Sequence, residues 1–178
     1  MKKRSLRTGK YIAYLLRHNP ENLDMNKKGW VDVKDLLKKC KIPMEELEEI
    51  VATDNKQRYN FNDNKTKIRA NQGHSIDWVE VDMDEVEPPD ILYHGTSSRF
   101  LEKIYENGLN KMSRQHVHLS DDIPTATNVG QRHGDNTVII EIDTKSMYED
   151  GIIFYLSANS VWLVDHVDPK YFIDTIYI

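Results

Sequence analysis

One cysteine, Cys40, stands in the 178 residues, so the chain can build neither an internal disulfide nor a multi-cysteine zinc site. Long apolar runs are missing as well: none approaches the roughly 20 residues that span a bilayer, and no membrane association is expected. The basic start MKKRSLRTGKY leads into no apolar signal core and no small-residue cleavage site, so no secretory leader is read there. Together these gaps point to a cytoplasmic setting. Two nucleotide signatures are also lacking. Neither GxGxxG nor GxxxxGK[ST] occurs, which excludes an ordinary Rossmann site and a P-loop.

What is present is an ordinary globular composition, 39% hydrophobic and 30% charged, long enough for one domain or two small ones. The charge is unevenly spread. Residues 1–75 carry 17 Lys and Arg against 10 Asp and Glu, a net +7, and residues 76–178 carry 7 against 19, a net −12. That split suggests two modules, the first suited to a polyanion. A merely solvated basic surface explains the charge equally well.

Periodicity divides the chain in the same way. A first helix is expected from Ser5 or Thr8 to Arg17, with Ile12, Leu15 and Leu16 inward. GWVDVKDLLKKC reads as a short extended piece and a helix burying Val33, Leu36 and Leu37. PMEELEEIVATD reads as a third helix with Pro43 at its first position. RYNF and KIRA are strand arms around the turn-rich NDNKT. Three helices followed by a hairpin have the layout of a winged helix. VEVDMDEVEPPD, acidic and closed by Pro-Pro, reads as the crossing between modules. Beyond it, ILYHGTS, HVHLS, TVIIEID, IIFYL, VWLVD and YFIDTIYI are strand-like. RFLEKIYENG is a helix closed by Gly108, and DDIPTATNVGQRHG a helix from near Pro124 to near Gly134. The expected class is α+β, with domains over residues 1–80 and 81–178.

Three polar stretches, RHNP, RANQGHS and VGQRHG, each join an arginine to a histidine and turn-forming residues. Arginine offers a planar fork of donors matched to phosphate oxygens, and histidine adds another. Arg17, His18, Arg69 and Arg132, if brought together, would clamp a dianion. YHGTS can place backbone and side-chain donors near a ribose or phosphate. His116 and His118 alternate on a strand and would face one side, with His94 or His133 as a third metal ligand. No HExxH and no carboxylate partner on that strand supports this, and no metal is expected.

RHNP, GWVDVKDLL, IRANQGHS, LYHGTS, HVHLS and TATNVGQRHG, in this order and spacing, resemble the RNA 2′-phosphotransferase (tRNA 2′-phosphotransferase) family from about residue 5 to 175. The resemblance implies an N-terminal winged-helix lobe that holds RNA and a strand-rich, ADP-ribosyltransferase-like lobe that binds NAD. It implies a two-step reaction. An internal RNA 2′-phosphate attacks the NAD ribose and expels nicotinamide, leaving an ADP-ribosylated RNA. The ribose 2″-hydroxyl then attacks phosphorus, releasing 2′-OH RNA and ADP-ribose 1″,2″-cyclic phosphate. The family's catalytic residues fall on Arg17, His18, Arg69 and Arg132.

On the same resemblance His94, Gly95, Thr96, Gly108, His118 and Ser120 are expected at the NAD, and Asn71, Gln72 and His74 at the arm and the adjoining nucleotide. A phosphate dianion is already nucleophilic, so the first step needs positioning more than a base. The second places charge on phosphoryl oxygens, where arginines act best. NAD is consumed as co-substrate, the partner is RNA with an internal 2′-phosphate, and the chain is expected to act as a monomer. Many protein-modifying ADP-ribosyltransferases carry a catalytic glutamate on a late strand. No acidic residue lies from Ala158 to Val164, which disfavours a protein acceptor. Two other readings stay open: a winged-helix regulator, and an ADP-ribosyltransferase acting on nucleic-acid terminal phosphates or protein. Glu45, Glu46, Glu48 and Glu49 on the third helix count against the first of these, because a groove-reading helix facing phosphates would avoid them.

Overall fold

The computed structural model describes residues 3–54, 56–81, 83–134 and 136–178. The chain is α+β, with its pairings between named strands all antiparallel, and divides into two compact units, Met1–Asp82 and Met83–Ile178. Among the described residues no helix is long and apolar enough to cross a membrane.

In the first unit, α1 runs Lys3–Arg17. It begins before the expected Ser5, because nothing in KRSL breaks a helix and its long side chains favour one. The strand β1 (Val31–Asp32) leads into α2 (Val33–Cys40), and α3 spans Met44–Ala52. Pro43 is the residue that caps α3, extended at φ −77° and ψ 167°, rather than its first helical position. The arms β2 (Tyr59–Phe61) and β3 (Lys67–Ala70) form the expected hairpin, and β1 adds to its other side, giving the order β1-β3-β2. Ile12, Leu15 and Leu16 of α1 meet Leu36, Leu47 and Ile68 in a fully buried core. Pleating sends alternate side chains of β3 to opposite faces. Ile68 and Ala70 go inward, which leaves Arg69 between them on the outer face.

The second unit is strand-rich. One sheet has the order β12-β8-β5, made of β5 (Ile91–Ser97), β8 (Thr137–Asp143) and β12 (Phe172–Tyr177). A second joins β4 (Asp84–Glu85), β7 (Val117–Leu119), β9 (Tyr155–Leu156) and β10 (Trp162–Val164) in the order β4-β9-β10-β7. A short pair joins β6 (Leu109–Asn110) to β11 (His166–Val167). Part of the acidic crossing is thus an edge strand, and charged edges of this kind discourage pairing with other chains. IIFYL yields only two strand residues, and Phe154 before them is buried in the core. α4 (Leu101–Asn107) ends at Gly108 as expected. The helix α6 (Thr144–Glu149), capped by Asp143 accepting from the Ser146 N–H, was not read from the sequence. KSMYED is too short to display a helical period.

The helix α5 (Ile123–Gly130) starts at Asp122, whose carboxylate accepts from the Thr125 N–H. It lies directly on β5. A Cβ on Gly95 would sit 1.7 Å from the Ala126 carbonyl oxygen, and one on Gly130 2.6 Å from Thr137 Cγ2. Both contacts are shorter than any carbon atom tolerates. Gly95→Ala must therefore push α5 off the sheet, and overpacking of this kind costs about 3 kcal/mol. Urea denaturation is expected to register that loss.

Candidate functional site

In the first unit the site begins where α1 stops. The last carbonyls of a helix lack partners within it. The carbonyl of Arg17 finds one outside, accepting from the Ser75 N–H at 2.8 Å. The Ser75 hydroxyl lies 2.9 Å from His18 Nδ1. One residue beyond the hairpin therefore holds both ends of the Arg17-His18 pair, where the helix dipole already favours cations.

Arg69 approaches from β3, where it faces Asn60 across the hairpin. Its guanidinium lies over Trp30, 4.6 Å from the ring centroid, a cation–π contact that helps hold the fork in place. Trp30 is delivered by a tight turn. The Asn26 side-chain oxygen accepts from the N–H groups of Lys28 and Trp30, and Gly29 supplies φ +76°. His74 lies against this turn, 1% exposed, and a Cβ on Gly29 would come 3.3 Å from its Nε2. Among the described residues Nε2 of His74 has no hydrogen-bond partner. Burial first, then the positive charge of Arg17, His18 and Arg69, lowers its pKa to about 4. Three donors thus gather around a neutral imidazole.

Asn71 and His74 were expected at the arm and at RNA. Asn71 is buried; its amide donates to the Gln57 carbonyl at 2.6 Å and its N–H to the Arg58 carbonyl at 2.9 Å. It ties down the base of the arm. Gln72 is half-buried, and Gly73 takes φ +83° in the turn that follows.

In the second unit β5 and β7 meet through a reciprocal backbone pair, the Tyr93 N–H to the Ser120 carbonyl and the Ser120 N–H to the Tyr93 carbonyl, at 2.9 and 2.8 Å. This brings His94, His118 and Ser120 together. His94 Nδ1 is 3.1 Å from the His118 carbonyl. A carbonyl only accepts, so that nitrogen carries the proton, and Nε2 of the neutral ring is an acceptor. His118 is the reverse. Its Nδ1 lies 3.1 Å from Arg114 Nη1, arginine only donates, and so the proton sits on Nε2. The two rings therefore offer one acceptor and one donor.

Gly95 and Thr96 lie deeper, Gly95 under the Ala126 carbonyl and Thr96 buried with its backbone against Gly130. At Gly108, with φ +74°, the space over the backbone is taken by the Val167 carbonyl oxygen and the His166 ring. Arg132 is exposed on a 3-10 turn, Gln131–His133, that follows the end of α5 at Gly130. Arg17, His18 and Arg69 form one cluster in the first unit; Arg132 stands in the second. The His133 side chain, weighed above as a metal ligand, lies outside the described residues. Among the described residues no three His, Cys, Asp or Glu are grouped to hold a metal ion. The His116 ring packs edge-to-face with Tyr155, 5.6 Å between centroids.

Trp30, Ser75 and Arg114 were not assigned from sequence. The only signal was that Trp30 and Ser75 lie inside the blocks GWVDVKDLL and IRANQGHS; a stack and a helix-end bond leave no local pattern.

Comparison with known proteins agrees over nearly the whole chain. Residues 3–166 match the model of the family described as RNA 2′-phosphotransferase, Tpt1 / KptA family. A protein of Fusobacterium nucleatum subsp. nucleatum named "Probable RNA 2′-phosphotransferase" is 51% identical across 93% of this chain and 96% of its own length. Proteins of the same name from Flavobacterium johnsoniae and Trichormus variabilis are 48% and 46% identical, across 91% and 94% of this chain and 92% and 95% of theirs.

The buried histidine makes stability depend on pH. Unfolded, His74 titrates near 6.5; folded, it resists protonation until about pH 4. Between these values the unfolded state binds the extra proton, so stability falls as pH falls, by about 3 kcal/mol over the window. His74→Gln is expected to flatten that slope in urea denaturation at pH 7 and 4.5. The His74 ring protons should titrate near pH 4 by NMR, and a midpoint near 6.5 would contradict the assignment.

Proposed function

The chain belongs to the RNA 2′-phosphotransferase family, and from that premise we propose that it removes an internal 2′-phosphate from RNA with NAD as co-substrate. The observation that carries this reading is the meeting of the Arg17-His18 helix end, bound by Ser75, with the Arg69–Trp30 stack at buried His74. Three donors held in place by a helix end, a serine and a stacked indole suit a phosphate dianion. On this reading Met1–Asp82, three helices and a small antiparallel sheet, is a winged-helix lobe for RNA. Met83–Ile178 is an ADP-ribosyltransferase-like lobe for NAD.

The donor set at β5 and β7 fits a ribose. Nε2 of His94 would accept from one ribose hydroxyl, and Nε2–H of His118 or the Ser120 hydroxyl would donate to another. In the first step a 2′-phosphate oxygen bonds to the ribose anomeric carbon as the bond to nicotinamide breaks, the departing ring nitrogen keeping the electron pair. Arg17 and His18 hold the phosphate for this attack. In the second step the 2″-hydroxyl bonds to phosphorus, the bond to the RNA 2′-oxygen breaks, and the hydroxyl proton is balanced by the one that oxygen gains. Arg69 meets the charge that builds on the phosphoryl oxygens. Gln72, half-buried beside the arm, is the RNA contact of the three residues weighed for that task.

Incubating a 2′-phosphorylated oligonucleotide with NAD and stoichiometric protein is expected to yield 2′-OH RNA, nicotinamide and ADP-ribose 1″,2″-cyclic phosphate. ADP-ribose left on a terminal phosphate or on protein would favour the other ADP-ribosyl-transfer reading, and no turnover at all would remove the proposal. Arg69→Ala tests the division of labour: loss of one phosphate-facing arginine is expected to slow the second step by about 100-fold or more. ADP-ribosylated RNA should then accumulate on a denaturing gel, and unimpaired turnover would take Arg69 out of the site.

A further inference from the structure

The outer face of α1 has no role so far, although the helix ends in the phosphate cluster. Its sequence, KRSLRTGKYIAYLLR, contains no acidic residue. Ile12, Leu15 and Leu16 face the core at 0% exposure, while Arg7, Lys10, Tyr11, Tyr14 and His18 are exposed. With 3.6 residues per turn, positions 7, 10, 11, 14 and 18 share one side of the helix. From Arg7 to His18 the face runs about 16 Å at 1.5 Å per residue. Two tyrosines, 37% and 43% exposed, stand on it between the two cations and the histidine. Neither ring serves the core. The Tyr14 hydroxyl accepts from the Asn19 amide at 3.2 Å, and the Tyr14 ring centroid lies 6.4 Å from that of His18. Glu21, an acid beside the face, accepts from the Tyr11 hydroxyl and is paired with Lys39. By contrast α3 carries Glu45, Glu46, Glu48 and Glu49 and presents no aromatic ring.

Cations beside exposed rings on one face suit a single strand of nucleic acid: phosphates meet the cations, and unstacked bases lie on the rings. A duplex hides its base faces and gains nothing from the tyrosines. We propose that this face of α1 is the track along which the single-stranded RNA flanking the 2′-phosphate lies, leading it to His18 and Arg17. The track rests on the phosphotransferase reading for its substrate. It is argued from charge complementarity and from its continuity with the phosphate cluster. A substrate with flanking nucleotides is therefore bound more tightly than a 2′-phosphorylated dinucleotide carrying the same reacting group.

The test uses the full chain, a fluorescent single-stranded oligonucleotide with one internal 2′-phosphate, its duplex with a complementary strand, and a 2′-phosphorylated dinucleotide. Binding is read by anisotropy without NAD, and turnover separately. Tyr11→Ala with Tyr14→Ala should raise the single-strand Kd about tenfold or more, while Phe at both positions keeps the rings and restores binding. Arg7→Ala with Lys10→Ala should lower the dependence of log Kd on log salt by about 1 to 2. In turnover, the preference in kcat/KM for the oligonucleotide over the dinucleotide should fall with each pair. An unchanged Kd and unchanged preference in both pairs, or an equal loss with the duplex on tyrosine removal, overturns the track. Loss of binding in the variants with no product from either substrate keeps the track and sinks the phosphotransferase reading. These side chains are exposed, so thermal melts of the variants should match the parent.

Discussion

The first unit depends on one junction, the docking of Ser75 on the end of α1. A helix C-terminus leaves carbonyls that must be satisfied, and here the Ser75 N–H takes the one at Arg17 while its hydroxyl meets His18. The segment that leaves the hairpin is thereby pinned to the helix that precedes it by over fifty residues. Arg69 enters by another route, forced outward by the pleat of β3 and held over the Trp30 ring. The result is a donor cluster whose geometry is set by backbone structure rather than by long, flexible side chains alone.

His74 is the cost of that arrangement. An imidazole closed off from water, with Arg17, His18 and Arg69 around it, cannot hold a proton near neutrality. Kept neutral, it adds no repulsion to the cluster and leaves the positive charge to the arginines. Gly29 completes the packing, since its φ and its missing Cβ let the Trp30 turn close over the ring.

The second unit uses glycine differently. Gly95 and Gly130 let α5 rest on the backbone of β5, and that contact decides where the turn bearing Arg132 emerges. The same strand carries His94, whose tautomer is set by a carbonyl of β7, as that of His118 is set by Arg114. Two histidines that look alike in sequence become one acceptor and one donor because their neighbours differ.

The helices of the first unit, the hairpin and the long strands were legible because their apolar spacing repeats over enough residues to be read: Ile12, Leu15 and Leu16 on α1, or the solid run of β8. Short elements were not. Neither α6 nor the two-residue strand in the acidic crossing has a period of its own, and Pro43 moved by one position because proline suits both a cap and a first turn. Among site residues, the six ordered polar blocks marked Arg17, His18, Arg69, His94 and Arg132 by their chemistry. Their burial and partners were invisible, since Asn71 and Gln72 are adjacent in sequence yet one clamps the arm and the other is half-buried. Sequence by itself determined the α+β class, the charge asymmetry and the family, all properties carried by composition and local order. Only tertiary structure decided that Ser75 and Trp30 hold the cluster, that His74 is neutral, and that Gly95 is a packing residue. Those depend on which distant atoms come within a few ångströms, and no local pattern encodes that.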